Sequence, residues 1–106
     1  MKFSPAPEYL AKLQDTIRQE HGCEATHEGT WMGVEHWGGT LWSGSVEVFR
    51  LGKGAPAAQA FAWGRIESDQ LRCYVVLGRD GINSARKAVR QVLRSSGMEE
   101  QESIAA

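Results

Sequence analysis

Three features of the sequence predict an α+β fold of order α-β-β-β-β-α, a four-stranded antiparallel meander sheet with both helices on one face. A 3.6-residue apolar period marks each end of the chain, and a two-residue period fills the middle. The breaks between the middle segments are short and rich in Gly, Asp and Ser. Breaks of hairpin length make neighbouring strands antiparallel, and two amphipathic helices can cover one face of such a sheet.

The elements follow in order. In SPAPEYLAKLQDTIRQEHG, Ser4 can cap a helix with Pro5 or Pro7 in its first turn, where a missing N–H costs nothing. Leu10, Leu13 and Ile17 recur at i, i+3 and i+7, Glu8 suits the positive end of the dipole, and Gly22 is a natural stop. From there Cys23, Ala25, His27, Gly29 and Trp31 alternate with Glu24, Thr26, Glu28 and Thr30, so a strand sends the first set toward the core. The alternation slips at Met32-Gly33, where a bulge or turn is expected. Gly38-Gly39 predicts a hairpin turn.

LWSGSVEVFRL is the second strand, with Trp42, Val46 and Val48 on one face, and GKGAP is a loop. AAQAFAWGRIE reads as the third strand, despite its alanines, because Phe61, Trp63 and Ile66 favour one. A turn at 68–70 leads to LRCYVVLG, with Leu71, Cys73, Val75 and Leu77 on one face. Asn83 or Ser84 can cap a second helix that buries Ala85, Val89, Val92 and Leu93 and stops at Gly97. The reading is one α+β domain over 1–97 with a flexible tail over 98–106.

A chain of 106 residues supports a single core. Its 42% hydrophobic and 24% charged content excludes a mainly disordered state. No stretch approaches the roughly 18 apolar residues of a membrane span, and MKFSPAPEYL has no apolar leader, so a cytoplasmic protein with no membrane partner is expected. Cys23 and Cys73 are then reduced thiols.

HGCEATH raises the question of metal, since His21, Cys23, His27, His36 and Cys73 are all zinc-ligand types. Its spacing is not that of a zinc framework, and Cys23 and His27 would lie about 13 Å apart along a strand. The expectation is no metal and no cofactor, with Cys23 and His27 the pair to watch. No Gly-x-Ser-x-Gly, P-loop, Gly-x-Gly-x-x-Gly or His-Glu-x-x-His occurs. No catalytic residue is assigned, and a metal-dependent or thiol enzyme ranks third among the readings.

Trp31, Trp37, Trp42 and Trp63 are many tryptophans for this length. Helices on one face would leave aromatic rings on the other, and exposed apolar surface marks a partner or ligand site. The leading expectation is a non-enzymatic interaction or small-ligand binding module using that aromatic face. Its site residues would be Trp37, Trp63 and Tyr74, with His27 and His36 as polar groups. A homodimer through the same face fits this reading.

The second reading is RNA binding. Net charge is −1, but Arg79, Arg86, Lys87, Arg90 and Arg94 stand against a single Asp80 within 79–94. Arg86, Lys87, Arg90 and Arg94 form a row that can neutralise phosphates. A helix, antiparallel strands and a second helix are similar to the double-stranded RNA-binding fold, and SARKA resembles its basic helix start. One strand too many, an acidic balance and no Gly-Pro-x-His-like loop in 33–45 are the departures. Taken together, HGCEATH, LWSGSVEVFRL and AFAWG resemble a family of small bacterial proteins of no assigned activity, over roughly residues 8 to 93. That resemblance implies a stand-alone bacterial domain and lends no site residues.

Overall fold

The computed structural model describes residues 6–105, with side chains through residue 95. Its elements are α1 (Pro7–His21), β1 (Ala25–Trp37), β2 (Thr40–Leu51), β3 (Gln59–Glu67), β4 (Gln70–Leu77) and α2 (Ala85–Ala105). The four strands form one antiparallel sheet in sequence order, as the periodicity predicts.

The ends of the elements have local causes. Pro7 occupies the first turn of α1, and Gly22 closes it at φ 67°, donating its N–H to the Arg18 carbonyl. Ala6 holds the N-cap position, and Ser4, the expected cap, lies outside the described residues. Ser84 caps α2 by accepting the Lys87 N–H. Gly97 falls inside α2 rather than at its end, since glycine weakens a helix by about 1 kcal/mol without stopping it. The side chains of the segment read as a flexible tail, 98–106, lie outside the described residues. Both hairpins close through two residues at positive φ, Gly38-Gly39 and Ser68-Asp69, as a type I′ turn requires.

The irregularity in β1 is not at Met32-Gly33. It falls between His27 and Gly29, where His27 pairs with Phe49 and Gly29 with Val48, leaving Glu28 as an extra residue. Past this bulge the alternation reverses. Thr30 now lies beside Glu47, on the face that His27 occupied, and Trp31 passes to the opposite face beside Val46.

The helices lie on opposite faces, not together on one. β3 shows why: Ala60 and Ala62 belong to a core with Leu13 and Ile17 of α1, while Phe61 and Trp63 belong to a core with Ala88 and Val89 of α2. Alternate residues of a strand point to opposite sides, and here both sides are apolar, so each takes a helix. The α1 side also buries Phe49, Leu51 and Leu77, and the α2 side buries Trp42, Val46 and Leu93.

The two hairpins are long, but β2 and β3 join them only over four pairs, from Glu47–Ala62 to Arg50–Gln59. Beyond Glu47 and Ala62 the sheet forks into two arms, β1–β2 and β3–β4. On the α2 side of the first arm, Trp31 and Trp42 stack over the Gly33–Gly44 pair. A Cβ at Gly33 would strike the Trp31 ring, whereas one at Gly29 meets nothing within 4 Å. Gly33→Ala should therefore destabilise the fold by about 1–3 kcal/mol, and Gly29→Ala should stay within about 0.5 kcal/mol of wild type, as read from urea unfolding midpoints.

Candidate functional site

Much of the aromatic face is covered. Trp31, Trp42, Trp63 and Tyr74 form a row across all four strands, with successive ring centroids 6.1, 6.1 and 5.5 Å apart. Trp63 is 2% exposed beneath α2, and Tyr74 stacks on it while donating its hydroxyl to Glu67. Trp37 is 42% exposed near the tip of the first arm, with the Arg94 guanidinium 5.4 Å from its ring centre. His27 and His36 belong to the other side of the sheet. The five residues expected to line one site are thus divided between two faces.

The basic row of α2 turns largely back onto β1. Arg86 and Arg90 both pair with Glu35, which is only 4% exposed, and Arg86 also lies 5.6 Å over the Trp31 ring. Two guanidinium groups satisfy both oxygens of one sequestered carboxylate, the arrangement such a group needs to avoid a desolvation penalty. The Arg90 hydrogen bond, helped by the Arg86 and Arg90 charges, holds the Glu35 carboxyl below its ordinary pKa. Lys87 is exposed.

The α1 side carries the less usual chemistry. Glu47 is completely buried at the fork. Its Oε1 accepts from the Thr30 hydroxyl at 2.6 Å and lies 2.8 Å from His27 Nε2, while its Oε2 has no partner. His27 also packs against Phe49. Across the fork, the Gly64 N–H has lost its place in the ladder because β2 has diverged, and it donates to the Tyr9 hydroxyl of α1 at 2.7 Å. Burial raises the Tyr9 hydroxyl pKa, against the Gly64 bond that lowers it, and the charges of Glu47 and Cys73 raise it further. Tyr9, Glu47 and Cys73 are thus electrostatic neighbours on this face.

Further along the arms the same side is bare. Met32, Val34, Leu41 and Ile66 are 61%, 51%, 62% and 72% exposed. Strand alternation places all four on the α1 side, and the register sets Ser43, Ser45, Gly64 and Leu71 beside them. His36 joins them near the first tip, and no Asp, Glu, Lys or Arg projects from this side of either arm beyond Glu47.

Glu47, Tyr9 and the bare apolar positions were not among the residues expected to form a site. The signal for Glu47 was its place between Val46 and Val48, two residues before the apolar Phe49 breaks the alternation. Cys23 and Cys73 are free thiols, both part of the α1-side core. Among the described residues no group of three or more His, Cys, Asp or Glu side chains is placed to hold a metal ion, and His27 Nε2 is directed to Glu47.

Two outcomes test this geometry. Glu35 has a folded-state pKa below its unfolded value, so its ion pairs stabilise the fold above the ordinary carboxylate range. That stability is lost as pH falls through the lowered value. Wild type should therefore exceed Glu35→Gln in melting temperature at neutral pH, and the gap should close in acid. Tyr9→Phe leaves the Gly64 N–H without its acceptor and should cost about 1 kcal/mol or more in urea unfolding. No protein-family model, curated protein or solved structure matches this chain, so the site is read from its own residues.

Proposed function

We propose that the protein is a non-enzymatic binding module whose docking surface is the α1 side of its two arms, not the aromatic face. The observation that carries this is the grouping of Met32, Val34, Leu41 and Ile66, each more than half exposed, on one side of the sheet. Exposed apolar surface gathered on one face marks contact with something apolar. The fork adds a second property. Past Glu47 and Ala62 the facing edges of β2 and β3 form no ladder with each other, which leaves strand edges that a guest can meet.

A second copy of the chain fits the same surface. A face without charged side chains can meet its own copy about a two-fold axis without like-charge repulsion. RNA binding through α2 has less support, because Arg86 and Arg90 pair with Glu35 and Arg94 lies over Trp37. A thiol or metal enzyme has less still, since neither Cys23 nor Cys73 has a histidine among its hydrogen-bond partners.

The test uses the neutral dye Nile red and sedimentation equilibrium on wild type, Leu41→Lys and Ile66→Lys. Both residues are exposed, so the variants should keep their unfolding midpoints within about 0.5 kcal/mol of wild type. Wild type should bind the dye with enhanced fluorescence, and each lysine should abolish most of it. A dimer that both lysines convert to monomer identifies the second copy as the occupant. Dye binding and association that ignore both substitutions would overturn the assignment of this face.

A further inference from the structure

We propose that the cleft between the arms ends in an ammonium-binding subsite built on Glu47, so that its preferred guest is an apolar primary amine. This rests on the docking face assigned above and names the chemistry of its guest.

A carboxylate buried without full hydrogen bonding is costly, and buried carboxylates are ordinarily paired and fully hydrogen-bonded. Glu35 shows that pattern on the other side of the same sheet, with an arginine on each oxygen. Glu47 does not. Thr30 and His27 both address Oε1, and Oε2 is buried with no partner. The free acceptor is therefore not a general habit of this fold.

Its position gives it a use. Glu47–Ala62 is the last pair that joins β2 to β3, so Glu47 stands where the arms separate. The next residues on the same side are Ser45 on β2 and Gly64 on β3, and they begin the uncharged walls of the cleft. Tyr9 reaches the same point from α1. Its hydroxyl oxygen accepts from Gly64, and its own proton has no acceptor among the described residues. An unmet acceptor thus sits where the arms separate, at the end of a surface that elsewhere offers apolar groups, serines and His36.

That combination selects the guest. The walls match a hydrocarbon body and offer nothing to a second charge. The end offers a carboxylate oxygen, which a cationic N–H donor satisfies more strongly than a neutral hydroxyl does. An anionic head would meet Glu47 with like charge. A dication would leave one charge against the apolar walls. A single ammonium on an apolar chain satisfies both parts. Oε2 is fully covered, so the head must displace a neighbouring side chain to reach it.

Isothermal titration calorimetry of the full chain with n-hexylammonium and with n-hexanol separates the two halves of the cleft. Both probes share the hydrocarbon, and only one carries the cation. Wild type should bind the amine about tenfold or more tightly than the alcohol. Glu47→Gln should bring the ratio near one while leaving the alcohol unchanged. Ile66→Lys should weaken both probes. If Glu47→Gln does not fold, the wild-type ratio still decides. Equal affinities for the two probes would overturn the ammonium subsite while leaving the docking face intact. Failure of both probes, with Nile red still bound at the arms, would also overturn it. Failure of all three would remove the docking face as well.

Discussion

The extra residue in β1, Glu28, sets which side of the sheet every later β1 side chain occupies. Without it, strict alternation from His27 would put Trp31 against α1 and Thr30 against α2. With it, Thr30 reaches Glu47 and Trp31 joins the aromatic row. Glu35, which shares Trp31's side, comes under α2 and collects both arginines. A single-residue change of register thus supplies the partner of one buried carboxylate and the location of another.

The two sides of the sheet then develop different properties. On the α2 side, large rings in contact fill the space between strands and helix, and each aromatic pair adds about 0.5–1.5 kcal/mol beyond its burial. The arginines of α2 fasten that helix to β1, and their ion pairs carry more weight than exposed ones because Glu35 is sequestered. On the α1 side the residues of β3 are small. Ala60 and Ala62 let α1 lie close at the root of the fork, and Gly64 admits the Tyr9 ring. A methyl group on Gly64 would approach Tyr9 Cε1 to 3.0 Å. α1 spans 15 residues and covers the root alone. The arms project past it, and their uncharged side stays open.

Much of the fold was legible because its signals are local. The two apolar periods, the Gly-Gly hairpin, the Ser84 cap and the Gly22 stop depend on residues near one another in sequence. The placement of helices was not legible, because two amphipathic helices satisfy their apolar stripes equally well on one face or on two. What decides it is that β3 is apolar on both sides, as Ala60 and Ala62 against Phe61 and Trp63. The bulge was expected four residues too late. Gly29 reads as one more member of an alternating set, and the register of the partner strand alone shows that it is not.

The candidate site divides along the same line. Sequence by itself determined the element order, the antiparallel pairing, the core stripes of both helices and the oddness of His27, all through propensity and period. Tertiary structure decided that Trp31, Trp42 and Trp63 are packed and not presented, because they share a core with α2. It decided that Arg86 and Arg90 of α2 pair with Glu35, since a charge's partner is set by what packs opposite. And it decided that Glu47, one polar letter among valines, stands buried at a fork with one oxygen free. Burial and pairing are properties of the assembled sheet, and no window of sequence contains the four strands and two helices that create them.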